Sequence, residues 1–455
     1  MNCLFFSKKA FAVTLTMIAT IAIAANAAGT RYKDRLFEVT KEKDVTYATN
    51  VPALSSLHSL SKMTFSFGDS LFFYTNENDV TQKSMRMDVY TPKGDTETKR
   101  AAVIVAHGGA MVAGSKNDFN QNSIAYCDSL AARGFVTAAI EYRRGVTLTG
   151  EGNTLSIDSV DFGRAVYRGT QDINAAVSHM RKNATKYGID PNRIYLLGNS
   201  SGAILAIENI YINNESDFPS YINNGAAPDL GPLNLYGEQG VDFHANGAVL
   251  LWGATHNPNT IGNSKVPVLL MHETEDPVVP FKIGYPLTNA ESMIKNNVPE
   301  EYAPLANAIN FVIEAPTLYG SYVIDSILKA KNIEHESFFV NGNTHEVYDE
   351  LQYEKTVQTK AFDFLYKLAS ADPAVSIGKH IAMARASGIQ MQKGNLSFTV
   401  SNGNGLKYIV RDLRGRPALS GTVSANEFVD LSTLSNGVYV LQVQGEHAIR
   451  FGISK

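Results

Sequence analysis

Cysteine is scarce in this chain, and its scarcity excludes two kinds of structure. Among the 455 residues only Cys3 and Cys127 are cysteines, and Cys3 falls in a segment typical of a cleaved leader. The mature chain then keeps Cys127 alone, which excludes an intrachain disulfide and a zinc site built from cysteines. Cys127 falls in a helical pattern with Ile124 and Leu130, so we expect a small core residue rather than a reactive thiol.

The chain also lacks a surplus of positive charge. Its formal net charge is −4, and loss of residues 1–27, which hold Lys8, Lys9 and no acidic residue, takes it to −6. This balance gives no electrostatic footprint for nucleic acid. With 44% hydrophobic and 18% charged residues, the composition is that of a soluble protein. Its length allows one large core and a smaller second domain.

A long apolar run occurs once, near the start of the sequence. Residues 1–27 have a basic start, an apolar run over 10–25 and the small-residue end Ala25-Asn26-Ala27. These are the parts of a secretory signal peptide, cleaved near Ala27. The alternative is a membrane anchor, but the run is shorter than the ~20 residues that a spanning helix needs. We therefore predict a secreted or cell-surface protein with no membrane span in its mature form.

From residue 101 onward, short apolar runs alternate with helical patterns. The runs predict strands over 101–106, 135–141, 193–197, 248–252, 266–271 and 337–340. The helical patterns cover 124–132, 163–187, 201–212, 319–331 and 345–368. Strands that are apolar throughout are buried on both faces, so helices must cover both sides of a mostly parallel sheet. The predicted fold class is therefore α/β, with a doubly wound sheet.

The flanking segments have different patterns. Residues 28–64 are polar without a strong period and predict irregular structure, whereas 63–93 alternates apolar with polar residues, as antiparallel strands with one solvated face do. Residues 208–247 are rich in Asn, Pro and Gly, and are candidate cap or lid material. Residues 370–388 indicate a linker, and 389–455 a small all-β domain of the sandwich type.

The stretch Gly198-Asn199-Ser200-Ser201-Gly202 joins a predicted strand to a predicted helix. In that context a G-x-S-x-G sequence places its serine on a strained turn that lifts the hydroxyl above the sheet. The glycines let strand and helix pack closely. A serine hydroxyl is a poor nucleophile near neutral pH unless a histidine takes its proton and a carboxylate orients that histidine. We therefore expect Ser200 to be a nucleophile with both partners at later strand ends.

In sheets of this kind the acid follows the serine along the chain, and the histidine follows the acid. Asp276 is the acid candidate because it follows the fifth predicted strand and precedes a rigid Pro-Val-Val-Pro run; Glu275 is the alternative. His345 is the base candidate because it lies in a glycine-containing loop after the last strand. His244 and His256 fall near the predicted mouth of the site and are weaker candidates.

The oxyanion of acyl transfer needs two preorganised backbone donors. One is the N–H of Ser201, at the positive end of the helix that follows the nucleophile. The second is expected from Gly109 or Ala110, in the His-Gly-Gly-Ala loop after the first predicted strand. His107 is expected to brace this loop rather than to react. The set implies neither a metal nor an organic cofactor.

Taken in order, these motifs resemble the α/β-hydrolase superfamily: HGGA at 107–110, Glu141-Tyr-Arg, GNSSG at 198–202, Asp276-Pro-Val-Val-Pro, and His345. The likeness covers about residues 85–368 and is greatest to carboxylesterases and lipases with an HGGG-type oxyanion loop, including bacterial acetyl-xylan and feruloyl esterases. It implies a catalytic domain over 28–369 and a serine esterase that forms an acyl-enzyme. The implied substrate is a small-molecule ester or an ester linked to plant polysaccharide.

The sequence departs from this family at two positions. Ala110 replaces a third glycine, which changes little because the donor is backbone, and Glu273 stands where relatives commonly have glycine. Three other functions compete. A lipase is expected to have a strongly apolar lid, which 208–247 is not, and a prolyl-oligopeptidase-type peptidase is expected to carry a propeller, for which 28–85 is too short. A non-catalytic binding protein on this fold does not require the full set of Ser, Asp and His.

The C-terminal segment has its own resemblance. The sequences from Val410 to Arg416 and from Phe428 to Val443, with a final basic strand, resemble the C-terminal sorting domains of type IX secretion substrates. This resemblance implies that the secretion machinery is a partner. The alternative is a carbohydrate-binding module, but most of the segment's aromatic residues fall in strand patterns that suit a core. These aromatic residues are Phe398, Tyr408, Phe428, Tyr439 and Phe451.

Overall fold

The structure is a computed structural model, and it describes most of the chain from residue 29 onward. The described residues are 29–62, 71–117, 123–150, 153–222, 227, 229–298, 300, 303–347, 351–371, 389–392, 397–400, 404–412, 416–444 and 449–453. The predicted signal peptide and nearly all of the predicted linker lie outside these residues and stay predictions.

The described elements up to residue 371 include both strands and helices. The strands are β1 (Val39–Leu54), β2 (Phe73–Tyr74), β3 (Val80–Pro92), β4 (Arg100–Ala106), β5 (Val136–Ile140), β6 (Val146–Thr147), β7 (Thr154–Ile157), β8 (Ile189–Asn199), β9 (Ala248–Leu251), β10 (Ala254–Thr255), β11 (Val268–Glu273), β12 (Ile283–Gly284), β13 (Asn310–Ile313), β14 (Leu318–Gly320) and β15 (His335–Val340). The helices are α1 (Ser123–Ala131), α2 (Ser159–Lys182), α3 (Ala184–Tyr187), α4 (Ser201–Tyr211), α5 (Ala290–Asn297), α6 (Ala303–Ala308), α7 (Ser321–Ala330) and α8 (Leu351–Ser370).

One eight-stranded sheet organises this part of the chain, in the order β1-β3-β5-β4-β8-β9-β11-β15. β1 and β3 are antiparallel to their neighbours. The other six strands of this sheet, β5, β4, β8, β9, β11 and β15, are parallel to one another. All residues of β4, β5 and β9 are buried, so helices cover both faces. One hydrophobic core includes residues of α2 and α4, and the other includes residues of α1 and α8, among them Cys127, which is 0% exposed. The predicted doubly wound, mostly parallel sheet is confirmed.

The prediction of irregular structure for residues 28–64 is wrong over β1. This sixteen-residue strand lies at the edge of the sheet and pairs antiparallel with β3. Its register shifts at three places between Glu42 and Val51, and Asp44 and Asn50 have positive φ angles of 55°. Each bulge moves the buried positions out of a period of two, which removes the alternation that predicts a strand.

The helix predicted over 163–187 is two helices, and it begins earlier than predicted. The side chain of Asp158 caps α2 by accepting the N–H of Asp161 at 2.8 Å, which is the preferred N-terminal cap geometry. α2 ends where the side-chain amide of Asn183 donates to the carbonyl of His179 at 2.9 Å and competes with the helical backbone.

Two later helices, in contrast, start after their predicted first residues. Residues Leu318–Gly320 pair as β14 with β10 and β12, so α7 begins at Ser321 rather than at 319. α8 is described from Leu351, and His345 lies in the loop before it. The base candidate therefore belongs to a loop and not to a helix.

Part of the segment 208–247 lies along α2. Polar side chains of α2 bind its backbone and acidic groups: Arg168 forms a buried ion pair with Asp229, Gln171 donates to the carbonyl of Pro232 at 2.9 Å, and Asn174 donates to that of Leu233 at 3.2 Å. These contacts fix residues 229–233 against the catalytic domain. The prediction that 208–247 contributes cap or lid material stays a prediction.

The C-terminal residues form two small antiparallel sheets. Their strands are β16 (Ile389–Gln392), β17 (Ser397–Val400), β18 (Leu406–Asp412), β19 (Pro417–Val423), β20 (Val429–Asp430), β21 (Gly437–Val443) and β22 (Ile449–Ile453). The sheet orders are β16-β17-β20 and β19-β18-β21-β22. A separate hydrophobic core fills this region and contains Phe398, Tyr439 and Phe451, whereas Phe428 is 63% exposed. Predicted all-β structure is confirmed here, while the boundaries 370–388 and 389–455 stay predictions.

Candidate active site

Ser200 lies on a sharp turn between β8 and α4. Its φ and ψ angles are 53° and −120°, a conformation that is strained for a residue with a side chain. Its N–H donates to the carbonyl of Leu251 at 2.9 Å, which ties the turn to β9. A Cβ atom at Gly198 would lie 2.3 Å from the carbonyl oxygen of Gly202, and one at Gly202 would lie 2.2 Å from that of Ala106. Both glycines are therefore required for strand and helix to approach this closely.

Three predicted site residues meet beyond the carboxyl ends of three strands of the sheet. Nε2 of His345 lies 2.8 Å from Oγ of Ser200, and Nδ1 of His345 lies 2.9 Å from Oδ2 of Asp276. Ser200 follows β8, Asp276 follows β11 and His345 follows β15, so the parallel sheet brings them to one edge. Glu275, the alternative acid, is exposed. The geometry thus selects Asp276 as the group that orients the imidazole.

The carboxylate of Asp276 is buried and receives several hydrogen bonds. Oδ1 accepts the N–H groups of Val278 at 2.7 Å and Val279 at 3.0 Å, as the rigid loop predicts. Oδ2 accepts from Nε2 of His272 at 3.1 Å in addition to Nδ1 of His345. Burial alone would raise the pKa of Asp276, but the hydrogen bonds from both histidines outweigh it and lower this pKa to about 2. The carboxylate is therefore ionised wherever the enzyme is folded near neutral pH.

The predicted oxyanion loop has the backbone that exposes N–H groups. Gly109, Ala110 and the following methionine have φ angles of 111°, 51° and 63°, so three successive residues are left-handed. The carbonyl of Gly109 turns away and accepts the N–H groups of Val112 and Ala113. In the described chain, no backbone acceptor binds the N–H of Gly109 or Ala110. The N–H of Ser201, in the first turn of α4, has no partner within its own helix.

His107 braces this loop together with Tyr142. The two rings stack with centroids 4.2 Å apart, and Nδ1–H of His107 donates to the carbonyl of Gly108 at 2.7 Å. The hydroxyl of Tyr142 donates to the carbonyl of His107 at 2.9 Å and lies 3.2 Å from Oγ of Ser201. Burial, reinforced by Arg144, lowers the pKa of His107 to about 3. The imidazole is thus neutral and structural.

The two weaker histidine candidates bind other carboxylates. Nδ1 of His244 lies 2.9 Å from Asp242, and Nδ1 of His256 lies 3.2 Å from the buried carboxylate of Glu208. Among the described hydrogen bonds, neither imidazole reaches Ser200.

Sequence reasoning missed three residues around the triad. His272 is fully buried, and its Nδ1 lies 2.8 Å from Oγ of Ser321, which fixes the ring that donates to Asp276. Trp252, the single tryptophan, follows β9 with a φ of 44°, and its ring lies 6.4 Å from that of His345. Glu273 hydrogen-bonds to the loop that carries His345. The one available signal was at Glu273, which the resemblance to HGGG-type esterases marks as a departure from a common glycine.

The described residues contain no group of three or more His, Cys, Asp or Glu side chains arranged to hold a metal ion. Among the described helices, none combines the length and apolarity needed to cross a bilayer.

Comparisons with known proteins show a likeness to an esterase family over part of the chain. The model of the BD-FAE family matches residues 87–229, which include the oxyanion loop and the serine turn. Fumonisin B1 esterase of Sphingopyxis macrogoltabida is 26% identical over 213 residues, which cover 46% of this chain and 38% of that protein. Human arylacetamide deacetylase-like 2 is 31% identical over 137 residues, 29% of each chain. This chain thus spans well under half the length of the curated relatives that it matches.

Solved structures of esterases are also similar to this chain. A propionate-bound esterase of Thermogutta terrifontis is 18% identical with a TM-score of 0.40, over 64% of this chain and 92% of that one. A truncated carbohydrate esterase from gut microbiota is 17% identical with a TM-score of 0.41, over 75% of this chain and all of that one. In its mostly parallel sheet, its strained serine turn and its match over residues 87–229, the chain is similar to esterases of the α/β-hydrolase type.

Proposed function

We propose that this chain is a serine carboxylic-ester hydrolase that works through an acyl-enzyme. The observation that carries the proposal is the hydrogen-bonded series Ser200, His345 and Asp276, set beside a loop of exposed N–H groups. This arrangement supplies a nucleophile, a base, an orienting carboxylate and an oxyanion site. The relatives named as an esterase and as a deacetylase-like protein support the same class of reaction.

Acylation follows from the distances at Ser200. Oγ of Ser200 attacks the ester carbonyl while its proton passes to Nε2 of His345, 2.8 Å away. Asp276 holds Nδ1–H of the imidazole and stabilises the imidazolium that forms. The N–H of Ser201, with that of Gly109 or Ala110, binds the oxyanion. His345 then gives its proton to the departing alcohol oxygen, and the carbon–oxygen bond to the alcohol breaks.

Deacylation repeats these steps with water. His345 takes a proton from a water molecule, whose oxygen attacks the acyl carbonyl, and the same N–H groups bind the second oxyanion. Collapse of this intermediate breaks the bond to Oγ of Ser200, which receives the proton back from His345. The products are a carboxylic acid, an alcohol and the free enzyme.

The substrate class that we favour is an acetyl or feruloyl ester of plant polysaccharide. The support is the match to the BD-FAE family, whose name stands for bifunctional acetyl and feruloyl esterases. A lipase or a general short-chain carboxylesterase is the alternative. The polar composition of 208–247 favours a polar ester over a triglyceride, because lipase lids are strongly apolar.

The reaction is tested with aryl acetates and a serine-directed phosphonate. Wild type should hydrolyse the acetate and bind one phosphonate per chain, and Ser200→Ala should do neither. A wild type that neither hydrolyses nor labels, or a Ser200→Ala variant that does both, contradicts the mechanism.

The substrate class is tested by the acid released from plant cell-wall polysaccharide. Acetate or ferulate should appear with wild type and not with Ser200→Ala. Turnover of triglyceride or of simple aryl esters alone would favour the alternative, and cleavage of peptide amides would indicate a peptidase.

We further propose that the protein is secreted or displayed at the cell surface and that 389–455 is the sorting signal. The burial of Phe398, Tyr439 and Phe451 supports this role over carbohydrate binding, since aromatic residues that bind sugars must be exposed. Deletion of 389–455 should retain the protein inside the producing cell. Normal export of the truncated chain, or binding of isolated 389–455 to xylan or cellulose, would contradict the assignment.

A further inference from the structure

A buried carboxylate, Glu273, links the two loops that carry the acid and the base. Glu273 is the last residue of β11 and is 0% exposed. Its Oε2 accepts the N–H of Thr344 at 2.6 Å, and its Oε1 accepts the hydroxyl of Thr344 at 2.7 Å. Thr344 directly precedes His345, and Asp276 follows Glu273 by three residues. The side chain of Glu273 thus binds the loop of His345 (the base loop). Glu273 itself ends the strand that leads into the loop of Asp276 (the acid loop).

The surroundings of Glu273 are built for this contact. A Cβ atom at Gly342 would lie 2.5 Å from Oε2 of Glu273, so a side chain at this position would have to displace the carboxylate. Two backbone hydrogen bonds run beside it, from the N–H of Thr274 to the carbonyl of Val340 and from the N–H of Glu275 to that of Gly342. The two loops are therefore joined at several adjacent points, of which Glu273 is the buried side-chain contact.

Burial of the Glu273 carboxylate costs folding free energy that its hydrogen bonds must offset. In the described chain, no Lys, Arg or His lies within ion-pair distance of Glu273, so the two donors of Thr344 take the place of a cation. Taking a carboxylate out of water is unfavourable unless it is hydrogen-bonded or paired, and an apolar residue or glycine would avoid this cost. Because both oxygens of Glu273 accept hydrogen bonds from Thr344, they fix the orientation of the peptide next to His345.

We propose that Glu273 is a positioning residue that holds the imidazole of His345 between Ser200 and Asp276. This inference rests on the proposed serine-hydrolase function. Glu273 does not touch the reacting atoms and acts through Thr344. When the carboxylate is removed, the base loop keeps its fold but samples positions in which Nε2 of His345 is out of reach of Oγ of Ser200. Misplacement of a catalytic group by about 1 Å lowers the rate by about a hundredfold.

The test compares Glu273→Ala and Glu273→Gln with the matched control Glu275→Gln, which changes an exposed carboxylate in the same loop. Hydrolysis of p-nitrophenyl acetate is measured per active site, with sites counted by phosphonate titration. Glu273→Ala should lower kcat by about tenfold to a hundredfold with less than a twofold change in KM. Glu273→Gln should recover part of the loss, because its amide can still bind both groups of Thr344. Glu275→Gln should match wild type.

A second readout separates positioning from a purely structural role. The proton on Nδ1 of His345, hydrogen-bonded to Asp276, should give a downfield proton NMR signal in wild type and in Glu275→Gln. In Glu273→Ala the signal should broaden or vanish. An unchanged kcat per titrated site and an unchanged signal, even with a lower unfolding temperature, would overturn the proposal.

Thr344 supplies the variants if Glu273→Ala does not fold. Thr344→Ser keeps the hydroxyl and should retain kcat, whereas Thr344→Val keeps the shape, loses the hydroxyl and should lower kcat per site. Equal kcat for the two variants would overturn the proposal. Failure of the proposed function is distinct, because wild type itself would then hydrolyse no ester and bind no phosphonate, while the NMR comparison would still report on the position of His345.

Discussion

At the scale of single residues, the central feature of the site is the set of hydrogen bonds to the carboxylate of Asp276. Two imidazoles and two backbone N–H groups converge on one buried carboxylate. His272 cannot serve as the base, because its Nδ1 faces Ser321 and its Nε2 faces Asp276. His272 hydrogen-bonds to the carboxylate of Asp276 without reaching Ser200. His345 hydrogen-bonds to the same carboxylate and also to Oγ of Ser200.

Replacement of Asp276 by Asn should nearly abolish turnover. The amide can no longer fix the Nδ1–H tautomer of His345 or stabilise the imidazolium, and a loss of kcat on the order of 10⁴-fold is expected. Glu275→Gln is the control, because its exposed carboxylate should matter little. Steady-state rates with an aryl acetate measure both. A larger loss in Glu275→Gln than in Asp276→Asn would reverse the assignment of the acid.

Asp276 should also make stability depend on pH on the acid side. Its folded-state pKa of about 2 lies below the ordinary value of 3.8, so its ionised form stabilises the fold fully above about pH 4. That stabilisation, roughly 2 kcal/mol, is lost as the pH falls through 2. The gap in unfolding temperature between wild type and Asp276→Asn should therefore narrow as the pH is lowered from 5 toward 2. A gap that stays constant would contradict this account.

The meeting of Ser200, His345 and Asp276 could be predicted from the sequence because chain order and strand ends determine it. Ser200, Asp276 and His345 each follow a recognisable apolar run, and parallel strands bring such ends to one edge. The directions of the side chains around them could not be predicted. His272 and Glu273 belong to a buried strand, and only the paired strands and the returning loop reveal that one binds Asp276 and the other Thr344.

At the scale of elements, the oxyanion loop depends on the loop after β5. Tyr142 follows that strand, and its hydroxyl holds the carbonyls of His107 and Gly108 at 2.9 and 3.3 Å. The next N–H groups along the chain, those of Gly109 and Ala110, bind no backbone acceptor in the described residues. A residue remote in sequence thus contacts the loop that we propose to hold the oxyanion.

Tyr142→Phe should lower kcat by about fivefold to tenfold, because a buried hydrogen bond contributes about 1 kcal/mol to the loop's position. The matched control is Tyr195→Phe, which removes a hydroxyl that donates to the carbonyl of Leu368 at 3.0 Å among residues of the other core. Both variants should lose similar stability, and only Tyr142→Phe should lose turnover per active site. Equal kcat in the two variants would show that the hydroxyl does not position the loop.

The elements that could be predicted are those buried on both faces. β4, β5 and β9 are buried throughout, consist mostly of apolar residues and lie close to their expected bounds. β1 was missed because a bulged edge strand buries few of its residues, and the break after α2 was missed because it depends on one side chain, that of Asn183. In both cases the course of the backbone depends on local geometry, which hydrophobic periodicity does not reveal.

At the scale of the whole molecule, the described hydrophobic cores divide at the predicted linker. The two large cores use residues up to Ala369, and the third uses residues from Phe398 onward. Neither large core draws a described residue from the C-terminal sheets. The residues of the candidate active site likewise all lie before the linker.

A chain of residues 28–371 should therefore hydrolyse aryl esters as well as a chain of residues 28–455. We expect kcat/KM to agree within twofold, because the site and both large cores are retained. The comparison uses purified proteins at equal concentrations of phosphonate-titrated sites. A loss of activity that accompanies a loss of cooperative unfolding would show that the C-terminal sheets complete the catalytic domain.

Cys127, buried on α1 beneath the sheet, gives the molecule a built-in reporter. It is the one cysteine between residues 28 and 455, and burial raises the pKa of its thiol to about 12. Thiolate is the form that reacts with alkylating agents and disulfide reagents, so the folded protein should resist both. The rate at which 5,5′-dithiobis(2-nitrobenzoate) modifies residues 28–455 then measures how often the catalytic domain opens, and it does so without a substrate. Variants at Ser200, Asp276 or Glu273 can thus be ranked for conformational opening independently of the turnover that they lose.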